Sequence, residues 1–337
     1  MVEVASRSGA DAIKFQTFKT EKIVSALAPK ASYQKRNTGD SGSQFDMLKR
    51  LELSYEDHSV LAEVSKKNSI EFMSTPFDID SASFLVKTIG VERLKVGSGE
   101  LTNAPLLLEL ARSRKPLILS TGMANIYEIE NALGVIAYGY ANTFKDPNPN
   151  INFKSYLDDK KLTINLIRNV TLLHCTSDYP ALPETINLSA IRTLRENFGL
   201  SVGFSDHSEG ISIAFAAVAL GASVVEKHFT LDRSLPGPDH SASLEPKELD
   251  AMVLGIRKVE KAIGSGEKIP VEEEKKTAEV ARKSLVAIEK INAGEIFSKN
   301  NLGVKRPGNG VSPFRFWEYL GKKAQREYEK DEMILPQ

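Results

Sequence analysis

The chain has 337 residues, 41% of them hydrophobic, with 44 Lys and Arg balanced by 44 Asp and Glu. This composition supports a sizeable core, and the absence of net charge gives no overall attraction to nucleic acid or to a membrane surface. Cys175 is the only cysteine, which excludes an intrachain disulfide and favours a cytoplasmic location. The longest apolar stretch, 211–225, is too short to cross a bilayer, and the N-terminus has no signal pattern.

Short apolar runs that end in clusters of Lys, Ser, Thr, Asp, Glu or His recur along the chain and are typical of buried parallel strands. The runs are 12–16, 70–76, 94–100, 117–122, 170–177, 200–207 and 223–230. Between them, apolar residues three and four apart predict helices. These helices are 44–53, 55–67, 81–87, 104–113, 126–138, 188–198, 212–220 and 246–263.

This alternation of strand and helix predicts parallel pairing through right-handed crossovers. Residues 1–8 have the pattern of the last turns of a helix that Gly9 ends. We therefore expect an α/β fold: a (β/α)8-type TIM barrel that lacks its first strand. The polar clusters would then lie together at the carboxyl ends of the strands, where such barrels carry their chemistry.

Three stretches depart from the alternation. Residues 17–43 read as a long loop after a strand end and are a candidate lid, and 139–159 read as a surface insertion. After residue 263 the composition changes to a charged connector and then to short apolar pieces separated by glycines. The sequence thus predicts a barrel domain over 1–264, a linker over 265–281 and a small β-rich domain over 282–337.

Two histidines, His207 and His228, end the last two predicted strands, which are neighbours in a barrel. Two imidazoles there can share a divalent ion, with open positions for water and substrate. Alternatively, either ring hydrogen-bonds a phosphate or a loop. Asp206 and Glu226 would orient the rings, or else pair with Lys227 or a backbone amide.

Two lysines, Lys14 and Lys95, lie inside apolar runs and therefore need a partner or a ligand. Hydroxyls and glycine amides at corresponding positions near the other strand ends suit a phosphate or carboxylate anion. The hydroxyl residues are Thr75, Ser98, Ser120 and Ser205. A structural ion pair and a Schiff-base lysine remain alternatives.

Further polar residues near strand ends are Gln16, Glu100, Tyr179 and Asp239, which suit a polyol. His174 and Cys175 read as core residues, and His58 as a surface residue on a helix. His240, on the loop after the last strand, is compatible with a role in the site or with a purely structural role.

Taken in order, the motifs resemble the sialic acid synthase family over essentially the whole chain. They are Lys14-Phe15-Gln16, Ser74–Phe77, Gly97–Glu100, Ser120–Met123, His174–Thr176, Tyr179-Pro180, Phe204–His207, Glu226–Thr230 and Gly237–Asp239. The segment 305–310, KRPGNG, resembles the signature of that family's C-terminal antifreeze-like domain.

The resemblance implies condensation of phosphoenolpyruvate with an N-acetylated hexosamine, typically N-acetylmannosamine, to a nine-carbon 2-keto acid and phosphate. It implies a divalent metal, manganese or magnesium, on His207 and His228, and a domain-swapped homodimer in which Arg306 binds the acetamido group in the partner's barrel. Phosphoenolpyruvate would contact Lys14, Thr75, Lys95, Ser98, Ser120, Ser205 and Ser177, which stands where some relatives have Asn. The sugar would contact Gln16, Glu100, Tyr179 and Asp239, with Glu100 also assisting the addition of water.

Two alternatives remain open at this point. If the acceptor is a diacetamido-deoxyhexose, the same chemistry would make this protein a legionaminic or pseudaminic acid synthase. Because relatives begin with a strand that ends in a Glu and a turn that contains Asn-His, which have no counterpart here, an inactive truncated copy is the other alternative. Neither nucleic acid nor a membrane is an expected partner.

Overall fold

The computed structural model describes residues 1–38 and 42–336. The chain forms two compact units, Met1–Gly264 and Ser265–Gln337. The predicted α/β fold is confirmed in the first unit, which contains a curled sheet of parallel strands. The strands are β1 (Ala12–Thr17), β2 (Glu71–Pro76), β3 (Leu94–Val96), β4 (Leu117–Ser120), β5 (Val170–Cys175), β6 (Ser201–Asp206) and β7 (Val225–Lys227).

The strands follow one another around the sheet in chain order. β1 pairs with β2, and β3 to β7 form a continuous parallel ladder. β2 and β3 lie side by side without a ladder between them. Among the described residues, β1 pairs only with β2 and β7 only with β6, so the curl contains seven parallel strands, as predicted.

Helices connect the strands, and most of them cover the outside of the sheet. They are α1 (Val2–Arg7), α2 (Thr20–Ile23), α3 (Ser32–Thr38), α4 (Gln44–Leu51), α5 (Tyr55–Lys67), α6 (Ile79–Phe84), α7 (Ala104–Arg112), α8 (Ile126–Ala141), α9 (Lys160–Asn169), α10 (Pro183–Ile186), α11 (Ala190–Phe198), α12 (Ser212–Ala219) and α13 (Pro246–Ile263). Side chains cap several of them: Ser54 and Asp57 form a capping box at α5, and Asn125 and Glu128 form one at α8. A large apolar cluster between the helices and β3–β6 forms the main core.

The candidate lid is not one long loop. It contains α2 and α3, and the stretch 39–41 lies outside the described residues. The prediction of a surface insertion at 139–159 was also incomplete. A 3-10 turn, Phe153–Leu157, packs against α8, where the Tyr138 ring lies 5.1 Å from the Tyr156 ring. Gly134 permits this approach, because a Cβ there would lie 2.6 Å from the Phe153 carbonyl oxygen.

The inside of the curl has two layers that follow from the alternation of strand side chains. The lower layer is apolar and consists of Met73, Ile118 and Leu173 with Ala12 and Val224 packed against them. Two residues further along the same strands come Thr75, Ser120, Cys175, Lys14 and Glu226. With Ser205 of β6, these five form what we call the polar layer. The apolar layer therefore lies directly below the polar layer.

The second unit contains α14 (Glu272–Ala281), β8 (Ser284–Ala287), β9 (Leu302–Lys305) and α15 (Phe316–Tyr319). β8 and β9 pair antiparallel, and further single bridges join Val286 to Met333 and Ile291 to Tyr328. Its own small core includes the buried rings of Phe297, Tyr319 and Tyr328. Across the described parts of both units, no helix combines the length and the apolar character needed to cross a bilayer.

Candidate active site

Glu226 is the centre of the polar layer. Its carboxylate lies 3.9 Å from Lys14 Nζ and 3.7 Å from Lys95 Nζ, and it accepts a 2.9 Å hydrogen bond from Ser205 Oγ. Burial by itself would raise the pKa of this carboxyl, but the charges of Lys14 and Lys95 lower it to about 2. Glu226 is therefore ionised. The ion-pair alternative for the two lysines is thus present in the structure, and Glu226 pairs with them, whereas Lys227 pairs with Asp206.

Lys95 is the more enclosed of the two lysines, with 2% of its surface exposed. It is paired in register with Ile118 of the lower layer, and its Nζ reaches up to Ser120 Oγ at 2.7 Å and to the Val96 carbonyl at 2.9 Å. Burial lowers the pKa of this ammonium, and the nearby Glu226 acts in the opposite direction. Two lysines against one carboxylate leave the layer with surplus positive charge, which suits an anionic ligand.

A pocket of hydrogen-bonding groups surrounds Gly122, just after β4. Its amide donates to Ser98 Oγ at 3.0 Å. A Cβ at this position would overlap Ser177 Oγ and lie 2.7 Å from Ser98 Oγ, so only glycine leaves room for both hydroxyls. Thr75 is buried on β2, beside Gly97 at the end of β3. These hydroxyls and the lysines are the predicted anion ligands, and the structure brings them together.

His207 and His228 lie side by side at the ends of β6 and β7, with ring centroids 5.3 Å apart. His207 Nδ1 donates a 2.7 Å hydrogen bond to the Thr176 carbonyl. Burial lowers the pKa of His207, but its contacts with Cys175 and the Thr176 carbonyl raise that pKa above its usual value. Burial lowers the pKa of His228 to about 3, which keeps its ring neutral. Ser205 Oγ, 3.4 Å from His207 Nε2, connects the histidines to the polar layer.

Neutral imidazoles are common ligands of divalent cations, and burial keeps the His228 ring neutral. His207 would release a proton on binding such a cation. Asp239 Oδ2 lies 3.8 Å from His228 Nδ1 and supplies a carboxylate nearby. Within residues 1–38 and 42–336, however, no group of three His, Cys, Asp or Glu side chains is already arranged around a common point. The two histidines fit a metal site whose remaining positions are filled from solution.

Tyr179 covers the histidines. Its ring centroid lies 4.1 Å from that of His207 and 5.4 Å from that of His228. Burial raises the pKa of its hydroxyl, so the phenol stays protonated. Tyr33 of α3 in turn lies over Tyr179, at 4.8 Å between centroids. Tyr179, Asp239 and the histidines thus form an upper wall above the polar layer.

Two predicted site residues, Glu100 and Arg306, make other contacts, and a third, Gln16, is exposed. Glu100 accepts a 2.6 Å hydrogen bond from Asn103 Nδ2. The Gln16 side chain is exposed at the end of β1. Arg306 belongs to the second unit, where its Nε donates to the Ala281 carbonyl at 3.0 Å.

Two interpretations from the sequence need correction. Cys175 is buried, but its sulfur lies in the site, 3.6 Å from Ser98 Oγ and 3.7 Å from His207 Nδ1. Strand alternation from Leu173 was the signal that could have placed it there. His58 is not on the surface: it is fully buried and bridges the Ser54 and Gln16 carbonyls. His174 is half-buried and contacts the Ile186 carbonyl, and His240 contacts Thr230 Oγ1.

A curled parallel sheet with lysines, histidines and hydroxyls at its strand ends defines an enzyme of the barrel class. The NeuB family model matches residues 1–268, and the SAF domain model matches 282–337. The chain belongs to the NeuB family, the sialic acid synthases that carry a C-terminal antifreeze-like domain.

Named relatives span most of the chain. An N,N'-diacetyllegionaminic acid synthase of Campylobacter jejuni is 46% identical over 99% of this chain and 92% of its own. One of Legionella pneumophila is 43% identical over 96% of this chain and 84% of its own. A crystal structure of N-acetylneuraminic acid synthetase from Leptospira borgpetersenii, in complex with citrate, is 34% identical and has a TM-score of 0.64, with 82% of each chain covered.

Proposed function

We propose that this protein condenses phosphoenolpyruvate with a 2,4-diacetamido-6-deoxyhexose and water to give a legionaminic acid-type 2-keto sugar acid and inorganic phosphate. The observation that carries the proposal is the convergence of Lys14 and Lys95 with His207 and His228 at one end of the sheet. The choice of acceptor is supported by the names of the relatives that are 46% and 43% identical. These favour the diacetamido sugar over the N-acetylmannosamine expected from the motifs.

The proposed anion subsite is the polar layer with the Gly122 pocket. Phosphoenolpyruvate carries a phosphate and a carboxylate, and the surplus charge of Lys14 and Lys95 would hold them. The Ser98 and Ser120 hydroxyls would fix its orientation. A bound anion would thereby accept directed hydrogen bonds in a buried environment, where such bonds are stronger than in water.

The acceptor would lie above, against Tyr179 and Asp239. Its open-chain aldehyde carbon is attacked by C3 of phosphoenolpyruvate, which leaves positive charge at C2. Water adds at C2, and the resulting tetrahedral centre expels phosphate as its C–O bond breaks. Lys14 and Lys95 would stabilise the phosphate charge as it leaves.

We also propose that His207 and His228 hold a divalent cation, manganese or magnesium. Bound there, the cation would polarise the aldehyde oxygen of the acceptor. The Thr176 carbonyl would keep His207 in the tautomer that presents Nε2. The protein is also proposed to act in the cytoplasm as a homodimer, to which Arg306 would contribute across the interface.

The test is a parallel assay of both acceptors with phosphoenolpyruvate and manganese, measuring phosphate release and keto acid formation. We expect a higher kcat/KM for the diacetamido sugar. Lys14→Met should abolish most turnover, whereas Lys22→Met, at an exposed ion pair with Asp80, should not. A preference for N-acetylmannosamine would favour the neuraminic acid reaction. No turnover with either sugar would favour the hypothesis of an inactive copy.

A further inference from the structure

The short helix α3 places the Tyr33 ring against the Tyr179 ring of the upper wall. Tyr33 is half-buried, and its ring is tilted 35° against that of Tyr179. Tyr179 in turn contacts both imidazoles. Only one aromatic layer therefore separates Tyr33 from the histidine pair.

A second contact fixes the same face of α3. Asn37 is one turn after Tyr33, and its Nδ2 donates to the Pro238 carbonyl at 2.8 Å and lies 3.4 Å from the Tyr179 carbonyl. Asp239, the next residue, faces His228. α3 is thus joined to both segments of the upper wall, and the position of Tyr33 over that wall is defined by two independent contacts.

The two acceptor classes differ in the groups that would meet such a ring. A diacetamido-deoxyhexose presents a C6 methyl and a second acetamido methyl where N-acetylmannosamine presents hydroxyls. An aromatic face gains free energy by covering methyl groups. A hydroxyl covered by the same face loses water without gaining a hydrogen-bond partner.

We infer that Tyr33 is a specificity-determining residue, whose ring face packs on the methyl-bearing end of the acceptor and selects the diacetamido-deoxyhexose over N-acetylmannosamine. The inference rests on the proposed function, because it names the selective contact of that same site. The ring face is the selective element, and the phenol hydroxyl is not needed for it.

The test compares kcat/KM for the two acceptors at saturating phosphoenolpyruvate in the full-length protein. Tyr33→Ala should lower the preference for the diacetamido sugar about tenfold, the effect of one lost apolar contact. Tyr33→Phe should keep the preference. Lys35→Ala, an exposed position two residues along the same helix, is the matched control and should leave the ratio unchanged. The KM for phosphoenolpyruvate, which binds below, should stay the same in all three variants.

The outcomes distinguish a failure of the Tyr33 contact from a failure of the proposed reaction. One outcome would overturn the role of Tyr33 only. In it the wild-type protein prefers the diacetamido sugar, and Tyr33→Ala lowers kcat/KM equally for both acceptors. The same holds if Tyr33→Phe loses selectivity as fully as Tyr33→Ala, since the hydroxyl would then be the selective group. A wild-type protein that converts neither sugar would overturn the proposed function and this inference with it.

Discussion

Asp206 and Lys227 face each other across β6 and β7 as partners in the strand register, with Lys227 Nζ 2.9 Å from Asp206 Oδ2. Both side chains are almost fully buried. Each is followed directly by one histidine of the pair, His207 or His228. The buried ion pair therefore defines the alignment of the two strands that places the imidazoles side by side.

Removing one partner of this pair should destabilise the fold. Lys227→Met leaves a buried carboxylate without its cation, which costs about 3–5 kcal/mol of unfolding free energy. The double variant Asp206→Asn/Lys227→Met should recover much of this loss, because Asn keeps the acceptor for the Ser208 amide without the charge. Urea unfolding measures both values. A Lys227→Met protein as stable as wild type would contradict this account of the pair.

The Glu226→Gln substitution should make the free energy of unfolding less dependent on pH in the acidic range. Lys14 and Lys95 lower the pKa of Glu226 in the folded protein to about 2, against about 4.3 in an unfolded chain. A carboxyl group whose pKa is lower in the folded protein stabilises the fold at pH values above its unfolded-state pKa. This contribution is lost as the pH falls toward its folded-state pKa. The stability difference between wild type and variant should be full above pH ~4.3 and vanish toward pH ~2. Chemical unfolding over a pH series checks this, and a difference constant with pH would disagree with it.

Gly122→Ala should weaken binding of phosphoenolpyruvate, because the added methyl group displaces the Ser98 and Ser177 hydroxyls. We expect KM for phosphoenolpyruvate to rise about tenfold to a hundredfold, as for other small displacements of positioning groups. Gly99→Ala is the matched control, since nothing lies within 4 Å of a Cβ there. Equal effects of the two substitutions would argue against a built anion subsite at Gly122.

His207→Gln and His228→Gln should each reduce manganese affinity at least about tenfold. Electron paramagnetic resonance of free Mn²⁺ measures this directly, without an activity assay. His240→Gln serves as the control, because its ring hydrogen-bonds Thr230. Manganese affinity that is unaffected by either substitution at 207 or 228 would refute the metal assignment.

Much of the barrel was predictable because its signals are local. The apolar run 117–122 includes β4, and the helical spacing over 55–67 matches α5. The helix α9 escaped prediction because it follows an insertion rich in Pro and Asn, and α3 because it is short and polar. Short helices depend on tertiary contacts, such as the Tyr33–Tyr179 ring pair, more than on their own propensity.

The sequence by itself determined the order of strands and helices, the strand-end position of the histidines and the family motifs, since these depend on spacing within one segment. Only the tertiary structure decided that Glu226 lies between Lys14 and Lys95, that the Cys175 thiol faces the site and that His58 is buried. The first two facts depend on which residues of distant strands lie side by side in the sheet, and the third depends on the packing of α5 against β1. Spacing within one segment does not specify contacts between segments that are far apart in the chain.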